Sequence, residues 1–365
     1  MSRTTDIALY LPSLRGGGAE RVIVTLANAF VHRGYKVDLV LAKAEGPYLA
    51  QVDESIDVVD LRSQRVLYSL PGLVGYLRER RPAALLATQT HANVVALWAK
   101  KLSRVNARTV IREAITLSIN CRASRGRGRL LPFVARWIYR WADRMVAPSQ
   151  GVAQDLVALG IVPQGKISVI YNPVSMDKVL SLAEVPPHHP WFDTAAYPVV
   201  LGVGRLSEQK DFFTLIQAFA RVRKQRQARL LILGEGEERE KLEDLVRRLG
   251  LVGDVALPGF VHNPYAYMKR AAVFVLSSRW EGLPNVLIEA LALGTPVVAT
   301  DCPSGPREIL EDGKWGRLVP VGDVEKMAEA ILATLQAPER PSIPKSALAR
   351  FELSEVVRQY LEVLL

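Results

Sequence analysis

Short runs dense in Val, Ile and Leu alternate with helical patterns along the whole chain. In the first half the runs are "DIALYLP", "KVDLVLA", "ALLAT", "RTVIRE" and "RMVAPS". A second series follows: "PVVLGVGR", "ARLLILGEG", "DVALPGF", "AVFVLSS", "TPVVATD" and "GRLVPVG". Strands that alternate with helices predict parallel sheets with crossover helices, so the fold class is α/β, with two doubly wound domains in series. Between the two series, residues 182–198 ("LAEVPPHHPWFDTAAYP") mix Pro and His with little periodicity, a composition that suits an interdomain connection. The boundary is expected near residue 175, giving domains over 1–175 and 176–353. Residues 354–365 form a helical pattern able to pack back on the first domain.

The length of 365 residues agrees with two domains, each with its own core. Hydrophobic residues at 49% and charged residues at 23% are ordinary for a globular chain. The longest apolar run is interrupted by Thr88, Gln89, His91 and Asn93, which excludes a spanning helix there. With no leader-like segment near Met1 and only Cys121 and Cys302 as cysteines, a reducing, cytoplasmic setting is expected. The five scattered histidines have no zinc-type spacing, and no metal is expected.

The net charge of +10 is uneven. Residues 1–180 carry 25 Lys/Arg against 13 Asp/Glu, and Lys100 to Arg144 alone carries twelve basic and two acidic side chains. An anionic partner is expected for that face, with nucleic acid and anionic lipid as the two candidates.

In doubly wound domains ligands bind at the carboxyl ends of parallel strands, so chemistry is expected on the loops after strands. In "SSRWEGLPNVLIEALALGTPVV", Glu281 and Glu289 lie eight positions apart around Pro284. Pro284 suits the first position of a helix, so Asn285 and Val286 follow with unpaired amides that form a small anion site. A ligand with an anionic centre and hydroxyls on both sides fits there; two solvated helix-end charges are the competing reading. After the first strand, Gly16, Gly17 and Gly18 stand before a helix, where backbone amides can approach a phosphate or sugar, or simply turn. The spacing does not form a dinucleotide fingerprint, and Asp38 lies inside the second strand rather than at its end.

In "GVGRLSEQKDFF", Arg205 and Lys210 flank a loop and can clamp a diphosphate from two directions. Phe260 and Val261 follow a strand and suit a flat base held by backbone contacts, whereas Glu237 to Glu240 read as a helix start with no function. His91 opens a helix after a strand, as either a structural residue or a group beside a ligand; Arg112 and Glu113 end the next strand and share that choice.

Taken together, "GGGAER", "GVGRLSEQKDFFTLIQAF", "LLILGEG", "LPGF", "SSRWEGLPNVLIEALALGTPVVATDCPSGPREIL" and "GRLVPVGD" resemble the retaining glycosyltransferases of family 4, most densely over residues 199–323. The resemblance implies a GT-B fold, two Rossmann-like domains facing each other across a cleft. It implies that Arg205 and Lys210 hold the donor diphosphate, that Glu281 contacts the donor sugar and Glu289 the ribose hydroxyls, and that His91 lies beside the sugar. Gly282, Leu283, Pro284, Asn285 and Val286, with Gly17 and Gly18, would line the donor.

The resulting expectation is a metal-independent, cofactor-free hexosyltransferase. It would move a hexosyl or N-acetylhexosaminyl group from a UDP-sugar to a saccharide or lipid-linked saccharide of the envelope. The segment "REAITLSINCRASRGRGR" matches no acceptor pattern. A sugar-nucleotide epimerase shares the fold and is the alternative enzyme; a nucleic-acid-binding protein would leave the Glu, Arg and Lys constellation unexplained. Arg125, Arg127 and Arg129 precede Leu130, Phe133 and Trp137 on one helix face, with Trp141 a turn further on. That stripe suits a core face, and with the arginines it also predicts peripheral attachment to the anionic inner face of the cell membrane.

Overall fold

A computed structural model describes residues 5–15, 17–119, 131–193, 196–337 and 340–365. The chain divides into two compact units, Met1–Pro173 with Leu353–Leu365, and Val174–Glu352. Among the described residues the first unit has a seven-stranded sheet built from β1 (Ile7–Leu11), β2 (Val37–Leu41), β3 (Asp57–Asp60), β4 (Ala84–Thr88), β5 (Arg108–Arg112), β6 (Arg144–Ala147) and β7 (Ile167–Val169), in the order β3-β2-β1-β4-β5-β6-β7. The second has a six-stranded sheet of β8 (Val199–Val203), β9 (Arg229–Leu233), β10 (Val255–Gly259), β11 (Val273–Leu276), β12 (Val297–Thr300) and β13 (Arg317–Val319), in the order β10-β9-β8-β11-β12-β13. All of these pairs are parallel. Each order reverses once, between β1 and β4 and between β8 and β11, which is where a crevice opens in a doubly wound sheet.

The central strands read as unbroken apolar runs because helices cover both faces. In β1, Ile7, Leu9 and Leu11 enter one core layer while Ala8 and Tyr10 enter the other, as the period of two requires. The helix Leu353–Leu364 contributes Val356, Val357, Tyr360 and Leu364 to the layer that also holds Phe30 and Val22, so the last helix completes the core of the first unit. Asp38, buried within β2, accepts hydrogen bonds from Thr5 Oγ1 and Tyr76 OH, each at 2.7 Å, and ties the helix Leu70–Arg80 to the sheet.

Two strands escaped the reading of hydrophobic runs. β3 is largely exposed and flanked by aspartates, and β7 is three half-buried residues; both are edge strands, where one open side weakens the apolar signal.

The segment 182–198 is a correction. It does not connect the units but straps onto the second one. Arg270 donates to the carbonyls of Ala183, Val185 and Glu184 at 2.9, 3.2 and 3.2 Å, and Asn263 Nδ2 donates to Leu182 O at 2.8 Å. Phe192 meets Tyr267 edge-on, and Arg229 covers Trp191. The carbonyls so satisfied are the last of the helix Met176–Glu184 and its cap Val185, which a helix end leaves without partners in the helix itself.

The predicted stripe also changes. The helix Leu131–Ile138 gives way to a 3₁₀ turn, Tyr139–Trp141, which carries Trp141 inward to meet Trp98 edge-on at 4.9 Å. Trp137 stays exposed under Arg140. Arg125, Arg127, Arg129 and Leu130 lie outside the described residues, as does the side chain of Phe133. No helix among the described residues is long and apolar enough to cross a membrane.

Arg270→Ala is expected to lower the stability of the second unit by about 1 kcal/mol, since partly solvated hydrogen bonds of this kind are worth little individually. Proteolysis should cut within 182–198 faster in the variant. An unchanged thermal midpoint with unchanged proteolysis would count against the strap.

Candidate active site

In the second unit the site grows from the loops after β8 and β11, the two strands flanking the reversal of strand order. The loop after β8 begins at Gly204 and ends at Asp211, whose φ of 47° is left-handed and whose side chain caps the helix Phe212–Gln225 by accepting from Thr214 N. Arg279 Nε donates to the buried Asp211 carboxylate at 3.0 Å, and Arg279 N donates to Gln209 O at 2.8 Å. Gln209 Nε2 returns a hydrogen bond to Trp280 O, and Ser277 Oγ donates to Lys210 O. The two loops are thereby stitched together in both directions.

At their junction Lys210 Nζ donates to Glu281 Oε1 at 2.6 Å, and Ser278 Oγ donates to the same oxygen at 2.6 Å. The side chains of the pair are 18% and 7% exposed, so the attraction acts in a poorly solvated place. Lys210 lies along Gly204, where a Cβ would stand 3.2 Å from Lys210 Cε. Cys302 lies nearby, and burial followed by the charge of Glu281 pushes its thiol well above the usual range, so it stays protonated. Arg205 takes another course: it is exposed and pairs with Glu237 at 3.1 Å. Glu237, read as functionless in the sequence, is thus a partner of one of the two candidate clamp residues.

Pro284 is the cap of the helix Asn285–Ala292 rather than its first residue, with an extended ψ of 100°. The amides of Asn285 and Val286 are therefore at the first turn, as an anion site requires. Two residues absent from the sequence reading hold this loop. Ser304, at a φ of 71°, donates to Gly282 O at 2.9 Å. Gly305 adopts a φ of 99°, and a Cβ there would stand 2.6 Å from Pro284 Cδ. The adjacent Ser-Gly in "CPSGP" was the available signal. Glu289 is buried on the same helix and accepts a long 3.5 Å hydrogen bond from Tyr265 OH. Phe260 and Val261 follow the edge strand β10, two strands from β8, at about 10 Å by strand spacing.

In the first unit, His91 is exposed on the first turn of the helix Thr90–Ser103, after β4. Thr90 Oγ1 and Asn93 Nδ2 donate to the fully buried Glu113 carboxylate at 3.0 and 3.1 Å, and Tyr139 OH donates to it as well. Burial pushes the Glu113 carboxyl above its ordinary range. Glu113 and Arg112, the latter bonded to Thr88 and Asn172, thus serve the framework under His91. Gly17 caps the helix Gly18–His32, but the room beside it is taken by Glu20, whose Oε2 would lie 2.2 Å from a Cβ. Beside Gly18 the space is open, and Gly16 lies outside the described residues.

Residues 16–178 match Glycosyltransferase Family 4, and residues 197–337 match Glycosyl transferases group 1. A Rhizobium meliloti protein, lipopolysaccharide core biosynthesis glycosyltransferase LpsE, is 33% identical over 87% of this chain and 85% of its own. The chain belongs to the family 4-like glycosyltransferases. It is also 29% identical, over 98% of this chain and 99% of the other, to a Campylobacter jejuni enzyme named N-acetylgalactosamine-N,N'-diacetylbacillosaminyl-diphospho-undecaprenol 4-alpha-N-acetylgalactosaminyltransferase. The crystal structure of Anabaena Alr3699/HepE in complex with UDP and glucose superposes with a TM-score of 0.84 at 22% identity, covering 99% of each chain. This glycosyltransferase has the GT-B fold, with one parallel sheet in each unit.

Lys210→Ala should destabilise the second unit by about 3 kcal/mol, because the buried Glu281 keeps Ser278 but loses its counter-charge. Glu281→Gln should cost less, and the double variant less than Lys210→Ala alone. Urea unfolding of the three variants measures this; equal stability of Lys210→Ala and wild type would remove the pair as a determinant.

Proposed function

We propose that the protein is a retaining, metal-independent hexosyltransferase. It takes a hexosyl or N-acetylhexosaminyl group from a UDP-sugar and places it on a hydroxyl of a lipid-linked saccharide in envelope glycan synthesis. The observation that carries this reading is the Lys210–Glu281 pair beside the first turn of the helix Asn285–Ala292, at the point where strand order reverses. The UDP bound by the Anabaena protein and the diphospho-undecaprenol in the name of the Campylobacter enzyme support the two substrate classes.

The chemistry follows from the charges. As the bond from the sugar's anomeric carbon to the phosphate oxygen breaks, negative charge grows on the diphosphate. Lys210, Arg205 and the amides of Asn285 and Val286 stabilise it. Positive character grows on the sugar, and Glu281 lies where it is felt. The acceptor hydroxyl attacks from the face the phosphate leaves, its oxygen bonds to the anomeric carbon, and its proton passes to the departing phosphate oxygen. Configuration is retained, and the fixed cations do the work a metal would otherwise do. Glu289 binds the ribose hydroxyls, Phe260 and Val261 the base, and His91 the sugar.

Glu281→Gln is expected to leave donor affinity nearly intact while lowering turnover at least a hundredfold; Glu289→Ala should chiefly weaken donor binding. Nucleotide release from UDP-sugars, with product configuration by NMR, tests both. Wild-type turnover in Glu281→Gln, or loss of activity in EDTA that magnesium restores, would overturn the mechanism.

Exposed Trp98, Leu102 and Trp137 lie among Lys101, Arg104 and Arg140, a surface that supports peripheral attachment to anionic lipid. Flotation with anionic vesicles should recover the protein at low salt and release it at high salt. Equal recovery with neutral vesicles would refute the attachment.

A further inference from the structure

The turn that carries Lys210 is fixed along its main chain from both sides. Lys210 N and Asp211 N donate to Ser207 O at 3.0 and 3.3 Å, and Lys210 O accepts from Ser277 Oγ at 2.7 Å. Asp211, the next residue, adopts a left-handed φ of 47° and ψ of 50°, which aspartate visits more readily than most residues but not without strain. Burial and charge keep it there. Its carboxylate is almost fully buried, and Thr214 Oγ1 at 2.8 Å and Arg279 Nε at 3.0 Å donate to the same oxygen, Oδ2. Thr214 is neutral, so Arg279 supplies the counter-charge that a buried carboxylate requires.

Arg279 does more than neutralise Asp211. Its main-chain N donates to Gln209 O at 2.8 Å and its Nη1 lies 3.6 Å from Glu208 Oε1, so one residue meets positions 208, 209 and 211 and brackets Lys210 from both sides. Two positions after Arg279 comes Glu281, the carboxylate to which Lys210 Nζ donates. The cation and the carboxylate of that pair thus stand on loops that Arg279 holds in register. Glu208 is exposed, so its contact is screened and adds little, and the buried Asp211 contact carries the effect.

We infer that Arg279 is a positioning residue for the donor: through Asp211 it sets the turn that aims Lys210, and so fixes the contact of Lys210 with the phosphate that leaves the sugar. The inference rests on the diphosphate reading given above. Lys210 is bonded to Glu281, the residue proposed beside the sugar, so in a nucleoside diphosphate sugar Lys210 meets the sugar-side phosphate. Arg279 acts without touching the substrate. A residue that only supported the fold would affect every ligand of the unit alike, whereas one that acts through Lys210 affects the ligands that carry the sugar-side phosphate.

Isothermal titration of the full chain with UDP and UMP tests this, since UMP lacks the sugar-side phosphate. Wild type should bind UDP at least about tenfold more tightly than UMP. Arg279→Ala should weaken UDP about tenfold and change UMP by less than about twofold, at an unchanged number of sites per chain. Asparagine caps helices and tolerates a left-handed φ, so Asp211→Asn removes the charge and little else; it should weaken UDP severalfold and spare UMP in the same way. Because Arg279 acts through Lys210, adding Arg279→Ala to Lys210→Ala should have less than about a twofold further effect on UDP. Equal losses for UDP and UMP, wild-type affinity for UDP in either Arg279→Ala or Asp211→Asn, or losses that multiply in the double variant would overturn the assignment. A preference for UDP that Lys210→Ala abolishes and Arg279→Ala leaves intact sinks the positioning role alone. Equal UDP affinity in wild type and Lys210→Ala sinks the diphosphate reading and the positioning role with it.

Discussion

A parallel sheet covered by helices on both faces admits a charged group along its strands only where hydrogen bonds satisfy it, as Thr5 and Tyr76 do for Asp38. In this protein β1, β2, β4, β8 and β11 are apolar almost without break, and their neighbours fill both sides. Polar chemistry is therefore driven to the strand ends, and only one end of each sheet collects the loops that lead into helices. Every residue proposed to touch a substrate lies on such a loop or in the first turns of the helix that follows it. The exclusion of charge from the core thus decides where function can sit before any side chain is chosen.

Within that limit the second unit concentrates charge in a small, dry place. Glu281 is buried, and it is tolerated because Lys210 and Ser278 both donate to one of its oxygens. The pair is held by reciprocal hydrogen bonds between two loops that are remote in sequence and adjacent in the sheet. On the function proposed above, a lysine so held would need little rearrangement to offset charge growing on a leaving diphosphate. The positive-φ Ser304 and Gly305 hold the neighbouring loop in place, Ser304 by its bond to Gly282 O and Gly305 by its close approach to Pro284.

The first unit uses a different device. Its helix Thr90–Ser103 is seated on the buried Glu113 through Thr90, Asn93 and Tyr139, and Gln89 enters the helix at a φ of 76° while donating to Glu20. Two loops on either side of the strand-order reversal are thus linked through Gln89 and Glu20, one carrying His91 and the other the glycines. Gly17 serves packing, because Glu20 occupies the space beside it.

The sequence alone determined the architecture and eleven of the thirteen strands among the described residues, and it singled out the loops after the strands. It could do so because strands buried on both faces need long apolar runs, and because glycine, proline and charge at strand ends have few other uses. It missed β3 and β7, whose open edges relax the apolar requirement, and it misread residues 182–198, whose backbone partners come from Arg270 and Asn263 some eighty residues away. Tertiary structure alone decided that Lys210 meets Glu281, that Arg205 meets Glu237, that Trp141 turns inward, and that Arg279 meets residues on either side of Lys210. Those are meetings between strand ends made neighbours by the order of the sheet, and spacing along a chain carries no information about which ends will be adjacent.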